Sequence, residues 1–385
     1  MVNLASDTSS DEPDATAPPG ALRPAVSLAA ISGRKPVNET AAGPCNEDSQ
    51  NRSGVVGDGQ LVPTANNPVP PTSVSGYFDG LDLARIRYAR WEADEGALSA
   101  MGGCGTVCLF TGRAEFIEKY FETVQDLRGR GFDVAIMDWR GQGRSARPLG
   151  NPRKGHITTF EQYHGDLVNF MRDVVLPDCR PPFFALAHSM GGAILLAAAA
   201  RLQPWFKRMV LTAPMLRLAP RWPSTKSMRR LAEVACYGGL DALFIPGGSE
   251  KSLETLPFSG NDLTSDQSRF VRNAGILKAA PELGIGSPTF GWVHAAGQAM
   301  EALTDPEFPS QVHTPVLMVA AGQDTVVSTR TIDLLGRDLR GGGSLVIDGA
   351  RHEILMERDR YRELFWAAFD AFVPGSEEME RGLDR

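Results

Sequence analysis

A serine hydroxyl is a poor nucleophile unless an imidazole can take its proton and a carboxylate can orient that imidazole. Three residues of this 385-residue chain answer that need by type and by place. Ser189 stands in "FALAHSMGGAIL" (184–195), where an apolar run gives way to small residues. Asp324 follows "LMVAAGQ" and His352 follows "LVIDGAR". Gly191 and Gly192 after the serine let a strand and a helix approach closely. Ala187 holds the place of the first glycine in the G-x-S-x-G turn and meets that requirement less fully. Alone, Ser189 reads equally well as a helix cap. The order Ser, Asp, His, each after a short apolar run, tips the reading to catalysis, with Ser189 as nucleophile, Asp324 as acid and His352 as base.

Rival assignments are weaker. Asp348 ends the run leading to His352 and would serve as a turn cap, and Asp333 lies further on. His156, His164, His188, His294 and His313 do not follow the last apolar run, so structural roles are expected for them. An oxyanion needs two preorganised donors. The N–H of Met190, next after the serine, is one candidate. The N–H of Arg113, in "TGRAEF" (111–116) with Gly112 allowing the turn, is the other. "DWRGQGRS" (138–145) carries a G-x-G but lacks the third glycine and the distant acid of a dinucleotide site, so it reads as a turn beside the active site.

Elements that could position these groups alternate along the chain. "LARIRYARW" (83–91) alternates like an edge strand, and "TVCLF" (106–110), "FDVAIMD" (132–138), "FFALA" (183–187), "RMVLTAP" (208–214), "PVLMVAAG" (315–322) and "SLVID" (344–348) read as strands. Helical periodicity fills 116–131, 159–176, 192–202, 329–339 and 361–372. This pattern predicts an α/β fold with a mostly parallel sheet and helices on both faces. The rhythm breaks over 215–314, which is read as an inserted cap. The expected core is therefore 77–214 with 315–375, followed by a charged tail over 376–385.

Residues 1–76 hold no Phe, Trp or Tyr and are rich in Pro, Gly, Ser, Thr and Asn, which predicts a disordered tail. Eight acids against four bases there account for −4 of the formal net charge of −7, so the rest is nearly balanced. An acidic chain argues against nucleic acid as a partner. Five cysteines (Cys45, Cys104, Cys108, Cys179, Cys236) without framework spacing predict reduced thiols, and no Cys or His cluster suggests a metal. The longest apolar run, around "AILLAAAA" (193–200), is too short to span a bilayer, and the acidic start is unlike a secretory signal. A cytoplasmic protein is expected, with peripheral contact at a membrane left open.

Together, "LFTGRAEFIEKY", "DWRGQGRS", "AHSMGG", "PTFGWV", "AAGQD" and "GARHEILME" resemble the lysophospholipase L2 and monoacylglycerol lipase branch of the α/β hydrolases, of serine aminopeptidase S33 type. The likeness runs from about 80 to 373. It implies an α/β-hydrolase fold with a helical cap and a serine esterase acting on lysophospholipid or monoacylglycerol through an acyl-enzyme. No cofactor or metal is implied. By motif, Ser189, Asp324 and His352 would form the triad, Met190 and Arg113 the oxyanion hole, and Trp292 would line the acyl pocket or belong to the cap core. Ala187 and Thr111 depart from the monoacylglycerol lipase pattern, and "TGRAEF" lies closer to the lysophospholipase side. The basic, aromatic-bearing start of the cap (215–240) would meet an anionic membrane surface or a substrate phosphate, or be a solvated helix face. Alternatives are a small-ester or peptide hydrolase, a haloperoxidase-like activity, and a hydrolase-fold binding protein without catalysis.

Overall fold

Short apolar runs become strands because burial on both faces rewards them. In the computed structural model, residues 59–97, 103–200, 205–220 and 223–373 are described. The strands are β1 (Ser73–Asp79), β2 (Arg85–Trp91), β3 (Thr106–Phe110), β4 (Asp133–Met137), β5 (Phe183–His188), β6 (Arg208–Thr212), β7 (Val316–Ala321) and β8 (Gly343–Ile347). They form one sheet in the order β1-β2-β4-β3-β5-β6-β7-β8. β1 and β2 run antiparallel to their neighbours, and β4 through β8 pair in parallel. Every residue of β3 and β4 is buried.

The alternation along these strands divides the core. Cys108, Phe110, Ala135 and Met137 pack on one face with α2 (Glu161–Phe170) and α3 (Met190–Ala199). Val107, Leu109, Val134 and Ile136 pack on the other with α1 (Phe121–Gly129) and the last helix, α8 (Asp359–Phe372). α7 (Thr329–Asp338) links β7 to β8, with its N-cap Ser328 side chain accepting from the Thr331 N–H. Between β6 and β7 the chain forms the helical cap, with α4 (Thr225–Tyr237), α5 (Gln267–Ala279) and α6 (Phe290–Leu303). Arg229 on α4 reaches Glu301 on α6 at 3.1 Å, and its stem lies against Gly297, which has no side chain to obstruct it. No described helix is long and apolar enough to cross a membrane.

Two sequence expectations need correction. The reading of 1–76 as a tail ends too late: residues 59–72 are ordered against the core and β1 starts at Ser73. Long-range bonds hold that stretch, including Trp91 Nε1 to the Pro70 carbonyl at 3.1 Å and Asn67 Nδ2 to the Glu118 carbonyl at 2.8 Å. Residues 1–58 and the predicted tail over 376–385 lie outside the described residues, as do Cys45 and Arg221. Secondly, 83–91 is not the edge. β1 pairs along its outer side, from Ser73 opposite Trp91 to Asp79 opposite Arg85. The predicted helix over 116–131 begins as a 3-10 turn, Ile117–Tyr120, before α1. The helix over 159–176 loosens into a π-turn at Met171–Val175.

One buried ionic group ties β2 to the loops bearing the site. Arg87 is fully buried and donates from Nε to Asp138 at 2.7 Å and from Nη1 and Nη2 to Glu118 at 2.9 and 2.8 Å. Burial opposes its charge, but the two carboxylates outweigh that and raise its pKa above the ordinary arginine value. Arg87→Met would leave two buried acids without their cation, and should cost about 3–5 kcal/mol of stability. Urea unfolding of the two proteins measures this directly. A loss under about 1 kcal/mol would mean that the group is not structural.

Candidate active site

The parallel strands end at one edge, where functional groups of such sheets gather. The strand order reverses around β3, whose neighbours are β4 and β5, so the loops after β3 and β5 diverge and leave a crevice. Ser189 follows β5 at this point, and the turn containing Arg113 follows β3.

Ser189 has φ +49° and ψ −112°, a strained conformation for a residue with a side chain. Surrounding bonds hold it there. Its N–H donates to the Thr212 carbonyl at 3.0 Å, and its own carbonyl accepts from Ala193 at 3.1 Å and Met215 at 3.0 Å. The helix behind it comes very close. A Cβ at Gly191 would lie 2.7 Å from the carbonyl oxygens of Phe110 and Thr111, and one at Gly192 would lie 2.9 Å from Pro214. Ala187, by contrast, is buried within the strand and accepted there, so the elbow tolerates its departure from the glycine pattern.

The three separated residues meet. Ser189 Oγ lies 3.0 Å from His352 Nε2, and His352 Nδ1 lies 2.8 Å from Asp324 Oδ2. The other carboxylate oxygen of Asp324 accepts from the N–H groups of Val326 and Val327 at 2.8 and 2.9 Å. Burial pushes the Asp324 carboxyl up, but the His352 ring and these N–H donors outweigh it and hold the pKa below the ordinary value. At His352 burial disfavours the charged ring. The Asp324 carboxylate and its hydrogen bond prevail and raise the pKa above 6.5. Such a line can move a proton off a hydroxyl and stabilise the imidazolium that results. Asp333 is engaged by Ser344 and Arg337 instead.

Met190 begins α3, so its N–H has no acceptor within the helix. In the turn after β3, Gly112 N–H donates to Glu115, and Ala114 N–H donates to Gln142 Oε1 at 3.1 Å. The Arg113 N–H between them has no such bond among the described residues. Gln142 Nε2 also donates to the carbonyls of Gly112 and Glu115 at 2.7 and 2.9 Å. Two backbone N–H groups without such acceptors therefore stand in the turns after β3 and β5, and an oxyanion hole calls for two donors of that kind. Trp292 on α6 is buried, donates from Nε1 to the Tyr163 hydroxyl at 3.3 Å, and carries the Arg113 guanidinium 5.0 Å from its ring centre.

Several residues here escaped the sequence reading. His188 Nδ1 lies 3.1 Å from the Thr212 carbonyl and hydroxyl oxygens, its ring lies 4.9 Å from that of His352, and burial drives its pKa down to about 4. A neutral ring therefore backs the imidazole. Lys119, Glu115, Glu254 and Glu353 form a buried ionic cluster, with Lys119 Nζ at 2.9, 3.3 and 2.7 Å from the three acids in that order. The clues were present: Glu115 lies three residues after Gly112, Gln142 sits within "RGQG", and Glu353 follows His352. Among the described residues, no group of three or more His, Cys, Asp or Glu is arranged to hold a metal ion.

Residues 103–359 match the profile of the family described as serine aminopeptidase, S33. The chain belongs to this family. It is similar to lysophospholipase L2 of Escherichia coli strain K12, at 34% identity over 299 residues, covering 74% of this chain and 83% of that protein. A shorter stretch is 31% identical to the rat monoglyceride lipase over 114 residues, covering 30% of this chain and 36% of the relative. Among solved structures, a soluble variant of the Saccharomyces cerevisiae monoglyceride lipase bound to a substrate analog shares the fold. That match has a TM-score of 0.64 and 19% identity and covers 82% of this chain and 99% of that one. These likenesses set the chain in the lysophospholipase L2 and monoacylglycerol lipase branch of the α/β hydrolases.

The ion pair at His352 has a direct spectroscopic consequence. The imidazole should titrate above 6.5 in the intact protein, and Asp324→Asn should bring it down, because burial then acts unopposed by the carboxylate. ¹⁵N NMR titration of the ring nitrogens reads both values. An unchanged pKa in the variant would exclude Asp324 as the stabilising charge.

Proposed function

We propose that this protein is a carboxylic ester hydrolase that removes the acyl chain of a lysophospholipid or a monoacylglycerol. The observation that carries this reading is the Ser189–His352–Asp324 line at 3.0 and 2.8 Å. Similarity to lysophospholipase L2 over most of both chains supports the lipid class.

In the proposed reaction Ser189 Oγ attacks the ester carbonyl as its proton passes to His352 Nε2. Asp324 holds the ring and stabilises its charge. The carbonyl oxygen, now negative, accepts from the N–H groups of Met190 and Arg113. The bond to the alcohol then breaks, His352 returns the proton to the leaving oxygen, and the acyl group stays on Ser189. Water, deprotonated by the same ring, attacks the acyl-enzyme and releases the fatty acid and the free serine. Trp292 lines the acyl pocket. No cofactor takes part in these steps.

Peripheral contact with a lipid surface fits the outer face of the cap. Leu231, Val234 and Tyr237 on α4 are exposed, as are Leu240 and Leu243 just after it, with Lys226 and Arg230 on the same helix. Apolar side chains beside basic ones suit an anionic interface.

A fluorophosphonate probe should label the wild type and fail to label Ser189→Ala, which should also lose at least about 10⁴-fold in kcat on lipid esters. Equal labelling of both would remove Ser189 from the mechanism, and hydrolysis restricted to short-chain esters would remove the lipid reading. The pH profile carries a sign as well. The base must be neutral, and its pKa is raised, so kcat/KM should fall with acid through an apparent pKa above 6.5. A profile flat down to pH 5 or so would contradict His352 as base.

A further inference from the structure

Arg113 carries a cation without an anion. Its Nη2 donates to the Gly286 carbonyl at 2.9 Å, and Trp292 lies under the guanidinium. Its Nε is shielded from solvent and has no hydrogen-bond acceptor. Among the described residues, no carboxylate lies within ion-pair distance of it. Glu254, the acid that most affects it, is engaged by Lys119 at 3.3 Å. Burial lowers the guanidinium's pKa to about 10, while Tyr163 and Glu254 act only in part against that. The chain pairs its buried arginines, such as Arg87 with Glu118 and Asp138, Arg140 with Asp166, and Arg362 with Glu122 and Asp126, whereas half-buried Arg113, like half-buried Arg147, donates only to carbonyl oxygens. Arg113 differs from Arg147 in its shielded Nε, a donor without an acceptor, and such a group points to a partner supplied from outside.

The surroundings agree. Gly155 leaves room for the guanidinium, since a Cβ there would lie 3.1 Å from Arg113 Nη2. Where 153–155 meets 284–286, two further arginines donate to carbonyls rather than carboxylates. Arg147 reaches four of them, Glu282 among them, and Arg153 reaches those of Pro281 and Gly284. Positive charge therefore collects where the cap meets the turn after β3. The geometry adds a reach argument. If the Arg113 N–H holds the ester carbonyl, its side chain spans the distance to a group a few bonds beyond it. In a lysophospholipid that group is the phosphodiester, and a guanidinium matches phosphate oxygens with its fork of donors.

We propose that the Arg113 side chain is the specificity group for the substrate's phosphodiester, so that the enzyme takes lysophospholipids in preference to uncharged monoacylglycerols. This rests on the ester-hydrolase reading above and narrows it. The test compares wild type with Arg113→Met and Arg113→Lys, all of which keep the backbone N–H. Palmitoyl lysophosphatidylethanolamine and monopalmitoylglycerol are presented in the same detergent micelles, with p-nitrophenyl butyrate as a report on the catalytic centre. The quantity read is the ratio of kcat/KM for the phospholipid to that for the glyceride. It should fall on the order of 30-fold in Arg113→Met, mostly through KM, with Arg113→Lys in between. Loss of both lipid activities with the ratio kept would overturn the specificity role and leave the esterase reading intact. A wild type that cleaves only the nitrophenyl ester would overturn both.

Discussion

The approach of Gly191 to the carbonyls of Phe110 and Thr111 is the constraint from which the site follows. Only a residue without a side chain fits there, since a Cβ would stand 2.7 Å from both oxygens. That closeness brings the first turn of α3 against the end of β3. It forces the chain at Ser189 into its strained φ of +49° and lifts the hydroxyl out of the turn. It also points the free N–H groups of the helix start, the positive end of its dipole, at the loop after β3. One packing event thus sets the serine and the helix-start donor beside the turn that follows β3. Asp324 and His352 arrive separately, on the loops after β7 and β8, and the imidazole reaches the hydroxyl with the carboxylate behind it because all parallel strands end on the same side.

Buried charge supports this edge from below. Arg87 joins β2 to Asp138 after β4 and to Glu118 before α1, so the turns that frame the oxyanion donors share one anchor. Gly143 fits the same anchor, since a Cβ there would overlap the Asp138 carboxylate. Lys119 performs the corresponding task nearer the triad. Its three acids come from the turn after β3, from the cap and from the residue after His352. One ammonium cannot neutralise three carboxylates in a desolvated place. Burial accordingly raises Glu353 above its ordinary pKa despite Lys119, while Lys119 and the Tyr120 hydroxyl overcome burial at Glu115 and lower it. The charge imbalance is relieved at the acid adjoining the imidazole, and the acid that grips the Gly112 N–H stays ionised.

Much of this was legible in the residues. Strands β3 to β8 announce themselves as short apolar runs, and the triad as polar residues just past three of them. Such signals are local, and they survive because burial on both faces demands continuous apolar sequence. What failed was non-local. Residues 59–72 look like tail because Pro, Asn and Thr dominate them, yet Pro70 and Asn67 are held by Trp91 and Glu118, bonds that no window of sequence contains. For the same reason 83–91 passed for an edge: its alternation gives the period of a strand but not the identity of its neighbours. The ionic clusters were invisible too, since Arg87, Glu118 and Asp138 lie in separate elements and each alone resembles a surface charge.

Arg113 joins the two halves of the design. Its main chain belongs to the turn that the sheet positions, where its neighbours' N–H groups are engaged and its own is left over. Its side chain belongs to the junction with the cap, where it meets Trp292 and Gly286. The two parts are chemically independent, because the N–H persists whatever side chain is attached. A single position can therefore keep the reaction constant while it alters which ester is preferred. On the proposal made for Arg113, the sheet edge sets what is done to a carbonyl and the cap junction sets which molecule presents it.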